Sequence, residues 1–128
     1  MRVLLDTHIA LWAIADDARL ATRARQVIET PENQVAVSTA SVWEIAIKHA
    51  IGHDRMPVPA AEARVFFRAS GFLIVNITPE HAMHAGALPP IHADPFDRLI
   101  VAQALTEPFR LVTRDAAVAR YSDTIVLV

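Results

Sequence analysis

The sequence predicts an α/β fold in which helices cover both faces of a five-stranded, mostly parallel sheet. The first observation is the segment Val3–Leu5, which is apolar throughout and shows no alternation with polar residues. Such a run is typical of a strand that is buried on both faces. The second observation is that short apolar segments alternate with helical ones along the whole chain. This alternation indicates right-handed β-α-β crossovers and a three-layer sandwich.

Five segments are short and rich in branched apolar residues, as buried strands are. The predicted strands are residues 2–5, 35–37, 72–77, 110–113 and 124–128.

Helical segments fill the intervals between these strands. Thr7 is predicted to cap the first helix, and Thr78 and Asp94 each stand in a cap position before a proline, as helix starts prefer. Glycines are predicted to end the third, fourth and fifth helices. The predicted helices are residues 7–15, 18–29, 42–50, 60–70, 78–85, 94–105 and a brief one beginning at 116.

Composition limits the class of protein. We expect residues 1–128 to form a single domain, since this length is ordinary for one. The chain has no cysteine, which excludes a disulfide scaffold and a thiolate metal site. No apolar run approaches the ~18 residues that a membrane span needs. Because the first predicted strand starts at residue 2, we expect no signal peptide before it. We therefore expect a cytoplasmic protein without a membrane partner.

Acidic residues stand just after the predicted strands or in the first turn of the next helix. Four are candidates for a common site: Asp6, Glu44, Asp97 and Asp115. Each except Asp6 also has a simple structural explanation. Asp97 would lie in the first turn of the helix that Asp94 caps, where a negative charge interacts favourably with the helix dipole. Glu44 completes a Ser-x-x-Glu capping box that begins at Ser41, and Asp115 can cap a helix. Asp6 instead continues an apolar strand.

The shared position of these acids favours a metal site. The carboxyl ends of parallel strands meet at one edge of the sheet, so the four carboxylates would repel one another there. A hard divalent cation removes this repulsion, and oxygen-only ligands favour Mg²⁺, with Mn²⁺ as an alternative. A Mg²⁺ ion held by carboxylates is suited to phosphodiester hydrolysis, because it activates water and stabilises the leaving oxygen.

The sequence also resembles PIN-domain proteins, and most of all the VapC toxins of bacterial toxin–antitoxin pairs. The segments that carry the resemblance are Leu4–His8, Ser41–Lys48, His92–Ala104 and Leu111–Asp115. The resemblance implies a sheet with strand order 3-2-1-4-5 and a Mg²⁺- or Mn²⁺-dependent endoribonuclease. It also implies that Asp6, Glu44, Asp97 and Asp115 are the catalytic, metal-binding acids, with Asp6 and Asp97 as the main direct ligands.

The resemblance further implies three partners: an RNA substrate, for which tRNA and ribosomal RNA are candidates, a second copy of the chain in a homodimer, and a cognate antitoxin that blocks the site. The antitoxin groove is expected near Trp12, Trp43, Ile47, Ile51 and residues 56–59. By their apolar character, however, the two tryptophans suit the core better than a groove.

Six polar residues near the acids are candidates for substrate binding. They are Thr7, Lys48, His92, Arg98, Thr113 and Arg114. The two arginines are the best candidates for phosphate contact, because a guanidinium binds phosphate through paired hydrogen bonds. Lys48 lies one turn after Glu44, where an ion pair is an equally simple explanation.

Alternative functions remain open at this point. An aspartate-based, Mg²⁺-dependent phosphatase would need a second aspartate two residues after Asp6, where His8 stands. A phosphoacceptor domain would need an aspartate after the third strand, where Asn76 stands. A non-catalytic binding module on the same fold would not need four acids. The pair His81 and His84 has metal-ligand spacing on a helix, although no third ligand is evident.

Overall fold

The computed structural model describes residues 1–128 and contains one sheet flanked by helices. The strands are β1 (Arg2–Leu5), β2 (Gln34–Ser38), β3 (Leu73–Val75), β4 (Arg110–Thr113) and β5 (Val126–Leu127). The helices are α1 (Thr7–Ile14), α2 (Thr22–Glu29), α3 (Thr39–Ile51), α4 (Ala60–Ala69), α5 (Pro79–Ala87), α6 (Pro95–Thr106) and α7 (Ala116–Ala119). All strand pairs are parallel and the order is β3-β2-β1-β4-β5. The predicted fold class and strand order are confirmed.

Strand β1 lies at the centre of the sheet and divides the core in two. Val3 and Leu5 point to one side, where they pack with residues of α1, α2 and α4. Leu4 points to the other side, where it packs with residues of α6 and α7. All three residues are fully buried. The absence of polar alternation in this strand is therefore explained by helices on both faces.

Several elements begin or end at residues other than those predicted. Helix α3 begins at Thr39, because the Ser38 side chain accepts the Ala40 N–H at 2.9 Å. Ser41 consequently lies inside the helix, and the capping box expected between Ser41 and Glu44 does not form. Helix α1 is capped by Asp6 rather than by the expected Thr7.

The other differences concern lengths. Helix α2 starts four residues later than predicted, at Thr22, and strands β3 and β5 are shorter than the apolar runs that suggested them. Helix α5 continues through Gly86 to Ala87, so that this glycine does not end it. Gly71 does follow the end of α4 with a positive φ of 81°, which favours glycine there. No helix combines the length and apolar character needed to cross a membrane.

Candidate active site

Asp6 leaves the central strand directly at the edge of the sheet where the other acids converge. Its main-chain N–H continues the sheet by donating to the Val112 carbonyl at 3.0 Å. One carboxylate oxygen accepts the Thr7 N–H at 2.8 Å, and the other accepts the Thr113 hydroxyl at 2.7 Å. Burial nevertheless raises the pKa of Asp6, and the nearby charge of Glu44 adds to this effect.

Glu44 lies on the buried face of α3 and is only 3% exposed. The Thr7 hydroxyl donates to its Oε1 at 2.6 Å and lies 2.8 Å from the Ser41 hydroxyl. The Lys48 ammonium group pairs with its Oε2 at 2.5 Å. Burial works to lower the pKa of Lys48, but the hydrogen bond to Glu44 and the negative charges of Glu44 and the neighbouring aspartates together raise it. Thr7 and Lys48 therefore hold Glu44 between them.

Asp97 lies in the first turn of α6, which Asp94 begins by accepting the N–H groups of Phe96 and Asp97. The pKa of Asp97 is raised to about 7, first because the side chain is buried and second because Asp6, Asp94 and Glu44 repel its charge. Removing the proton from Asp97 therefore concentrates negative charge that no nearby lysine or arginine fully balances.

His92 joins Asp97 to Asp115. Its Nε2 lies 3.0 Å from Asp115 Oδ2 and 3.2 Å from Asp97 Oδ2. Its Nδ1 accepts the Asp94 N–H at 3.1 Å, which places the proton of the neutral imidazole on Nε2, facing both carboxylates. Burial works to lower the pKa of His92, but the bond to Asp115 and the charge of Asp97 raise it overall.

Asp115 caps the short helix α7, since its Oδ1 accepts the Ala117 N–H at 2.8 Å. Burial works to raise its pKa, yet the hydrogen bonds from His92 and from Ala117 lower it overall. The Thr113 hydroxyl that donates to Asp6 also accepts the Asp115 N–H at 3.0 Å. One hydroxyl thus connects the first and the last of the four predicted acids.

Arg98 does not face this site, although it was a prime candidate for phosphate contact. Its guanidinium donates to the carbonyls of Ala85, Leu88 and Pro89 at 2.7, 3.1 and 3.0 Å. It also lies 3.3 Å from the Tyr121 hydroxyl, which in turn accepts the His92 main-chain N–H at 2.9 Å. Arg98 and Tyr121 therefore hold the loop that carries His92, and both terminal nitrogens of Arg98, Nη1 and Nη2, already have partners.

The acids open onto one cavity of about 510 Å³. All four predicted acids line it, together with Thr7, Lys48, His92 and Arg114 from the predicted binding residues. Thr113 lies beneath it, fully buried and bonded to Asp6. Arg98 is the one predicted substrate-binding residue that the structure directs elsewhere. The cavity wall also contains Trp12 and His8, for which the sequence predicted no role in the chemistry.

The donor set of this cavity suits a divalent cation. Carboxylate oxygens are the ligands that Mg²⁺ and Mn²⁺ prefer. The raised pKa of Asp97 arises from burial and from repulsion by neighbouring acids, and a bound cation would relieve that repulsion. His92, Asp97 and Asp115 offer ligand atoms that all lie within 4.8 Å of one another. The acidic lining of the cavity therefore fits a metal ion. Of the four predicted acids, Asp97 and Asp115 belong to the group whose ligand atoms come this close, whereas Asp6 and Glu44 do not.

Two further expectations concern residues outside the cavity wall. Trp43 is 54% exposed and meets the Phe96 ring edge-on, so it is not the core residue that its apolar character suggested.

His81 is buried and pairs with Glu107 at 2.6 Å. His84 lies on the exposed part of α5, and the two histidines share no further ligand.

Comparisons with known proteins agree with this geometry. The family model of the PIN domain matches residues 3–123. The chain is 38% identical to Ribonuclease VapC22 of Mycobacterium tuberculosis over 114 residues, which cover 88% of this chain and 86% of that protein.

Two solved structures share the fold. A VapBC2 structure from Rickettsia felis, bound to a DNA fragment from its promoter, has a TM-score of 0.70 at 18% identity and covers 100% of this chain and 98% of that one. A toxin–antitoxin complex from Klebsiella pneumoniae has a TM-score of 0.66 at 25% identity, with 97% and 95% covered. The chain belongs to the PIN-domain family and, within it, to the VapC proteins.

Proposed function

We propose that this PIN-domain protein is a divalent-metal-dependent endoribonuclease and the toxin of a toxin–antitoxin pair. The observation that carries the proposal is the convergence of Asp6, Glu44, Asp97 and Asp115 on one cavity at the edge of the sheet. The similarity to a protein named as a ribonuclease supports the reaction class. The two structural neighbours, one a VapBC protein and one a toxin–antitoxin complex, support an antitoxin partner. A homodimer remains part of the proposal.

In this proposal the four acids would hold the metal ion at which the scissile phosphate binds. A bound Mg²⁺ or Mn²⁺ ion supplies an activated water, orients the phosphate and stabilises the leaving oxygen. Thr7 and Thr113 keep the Glu44 and Asp6 carboxylates turned toward the cavity. Lys48 offsets part of the charge of Glu44, which reduces the repulsion among the four acids.

His92 holds a proton rather than supplying a metal ligand in this arrangement. The Asp94 N–H occupies Nδ1, so Nε2 carries the proton that faces Asp97 and Asp115. Its role is to keep these two carboxylates together before the cation binds.

The test uses Asp6→Asn, which keeps an oxygen for the Thr7 N–H while removing the charge. We expect the purified protein to cleave RNA with Mg²⁺ or Mn²⁺, and EDTA to stop cleavage. Asp6→Asn should lower the rate by at least about a hundredfold, since it removes a direct ligand. The control Asp54→Asn changes an exposed aspartate outside the cavity and should cleave normally. Cleavage that persists in EDTA, or equally in Asp6→Asn, would remove the proposal.

Metal binding is measured separately by titrating Mn²⁺ into the protein in a calorimeter. Asp6→Asn and Asp97→Asn should each weaken the binding, whereas Asp54→Asn should not. Equal binding by all three variants would show that the ion is held elsewhere.

A further inference from the structure

The acidic cavity continues into a second groove of different character. A cavity of about 380 Å³ adjoins it, and the two have Ile9, Trp12 and Arg114 in common. The remaining wall of the second cavity contains Arg19 and no acidic residue. The two neighbouring cavities, which we together call the groove, therefore differ in charge, with acidic residues in the wall of one and arginines in the wall of the other. We refer to the part at Trp12, Arg19 and Arg114 as the basic arm.

Arg114 is the cation in this groove that is available to a ligand. Lys48 faces the acidic end but is paired with Glu44. Arg19 is held by Asp17 through two hydrogen bonds of 3.1 and 2.8 Å. Arg114 is exposed and makes no ion pair within the chain. Its guanidinium therefore presents unoccupied donors at the border between the two cavities.

Trp12 gives the basic arm a flat aromatic surface. The guanidinium carbons of Arg114 and Arg19 each lie 5.2 Å from the centre of its ring, and the His8 ring lies 5.9 Å away at a tilt of 47°. Unpaired RNA bases stack on aromatic rings and on arginine planes. Because both arginines already lie over the Trp12 ring, the stacking surface of this part of the groove is formed by the ring together with these guanidinium planes.

Resting on the proposed function, we propose that the basic arm binds the stretch of single-stranded RNA next to the phosphate that is cleaved. Arg114 binds the neighbouring phosphate, and the surface formed by Trp12 and Arg114 stacks a base. An RNA strand carries an anion for the metal-bound acidic end and a second one for Arg114. An acidic peptide would satisfy Arg114 but gains nothing from the aromatic surface, so the chemistry favours RNA.

The test measures RNA binding without cleavage. Asp6→Asn prevents turnover, and Trp43→Phe leaves Trp12 as the single tryptophan of a chain that has two. The probe is a single-stranded RNA of mixed sequence about ten nucleotides long, added in the presence of Mg²⁺. We expect the fluorescence of Trp12 to change on binding. Arg114→Gln should weaken binding about tenfold and reduce the salt dependence by about 0.7 in the log–log slope, the value for one phosphate contact on a single strand.

The control Arg120→Gln removes an exposed arginine that lines neither cavity, and it should leave binding unchanged. Trp12→Phe should retain most of the affinity, whereas Trp12→Leu should lose it, because phenylalanine preserves an aromatic face. Circular dichroism checks that each variant folds, since Trp12 also packs against the core.

The outcomes separate this inference from the proposed function. RNA binding that is equally strong in Arg114→Gln and Arg120→Gln, or that leaves Trp12 fluorescence unchanged, overturns the inference even if the wild-type protein cleaves RNA. Loss of binding in Arg114→Gln supports it even if the wild-type protein fails to cleave. If hexaglutamate binds as tightly as the RNA and with the same dependence on Arg114, the basic arm is a docking surface for acidic peptides and the inference is wrong.

Discussion

The two halves of the acidic cavity hold their carboxylates by different means. In the first half, Asp6 and Glu44 follow or face the sheet and accept hydrogen bonds from Thr7 and Thr113, which are themselves buried. In the second half, Asp97 and Asp115 belong to helix starts, and His92 joins them from a loop. Threonine hydroxyl groups donate hydrogen bonds to the carboxylates of the first half. The carboxylates of the second half depend instead on a histidine and on a loop held by Arg98.

This difference indicates in which half a bound cation would relieve more of the repulsion between carboxylates. Asp6 is stabilised as an anion by two hydrogen bonds, although burial still raises its pKa. Asp97 accepts no comparable bond from a hydroxyl, and its pKa rises to about 7. The second half therefore carries more of the repulsion that metal binding would relieve.

The largest expected effect is on the pH dependence of stability, and it sharpens this comparison. The pKa of Asp97 is about 7 in the folded protein and 3.8 without its surroundings, so ionisation opposes folding. Without metal, the penalty should be absent below about pH 4, should grow as the pH rises and should be complete above about pH 7. Asp97→Asn should then be more stable than the wild type at pH 8, by on the order of 2–4 kcal/mol.

The measurement is urea unfolding in EDTA between pH 4 and pH 8, with exposed Asp123→Asn as the control. Added Mg²⁺ should reduce the difference in unfolding free energy between the wild type and Asp97→Asn at pH 8, because a cation stabilises the ionised form of Asp97. Parallel stability curves for the wild type and Asp97→Asn would show that the second half carries no excess charge.

The next effect tests whether the second half depends on its loop. Arg98→Met removes the donors to the carbonyls of Ala85, Leu88 and Pro89 and should reduce the free energy of unfolding by about 2–3 kcal/mol, as expected for hydrogen bonds to a charged group. RNA cleavage should fall with it, since His92 loses its support. Arg110→Met replaces an exposed arginine at the start of β4 and should stay near the wild type. An equal loss of stability in both variants would contradict the role of Arg98 in holding the loop that carries His92.

A smaller effect tests the hydroxyl that connects the halves. Thr113→Val keeps the shape but removes the donor to Asp6 and the acceptor for the Asp115 N–H, and should reduce the free energy of unfolding by about 1–2 kcal/mol. Thr113→Ser should restore most of the stability and the Mn²⁺ affinity. If valine and serine behave alike in both measurements, the hydroxyl does not position Asp6.

The smallest effect concerns a residue that belongs to neither half. Trp43 is exposed and contacts Phe96 edge-on, so Trp43→Ser should reduce the free energy of unfolding by only about 0.5–1 kcal/mol. Thermal unfolding measures this, with Trp12→Ser as the comparison at a half-buried tryptophan that packs against the core. A loss at Trp43 as large as that at Trp12 would mean that the exposed ring supports the fold.

The sequence predicted best those residues whose position depends only on their neighbours along the chain. The position of Asp6 follows from an apolar strand that ends in an acid, and Asp94 and Asp115 follow from simple capping rules. Arg98 could not be assigned in this way, because the sequence does not say which acceptors a guanidinium will meet. Its partners lie in the last turn of α5, in the residues that follow this helix and in Tyr121, 23 residues away. The bridging position of His92 depends on the same distant contacts.

Three of the acids described above also begin helices: Asp6 caps α1, Asp94 caps α6 and Asp115 caps α7. A chain that loses its chemistry through mutation at these positions must still start three helices. Substitution by alanine would remove a helix cap and reduce the stability by about 1 kcal/mol at each position, whereas asparagine or serine keeps an oxygen that accepts the hydrogen bond. In copies of this gene released from selection for activity, these positions should therefore drift toward small neutral polar residues. Such a pattern would arise because, at Asp6 and Asp115, the helix cap and the proposed metal ligand are the same side chain.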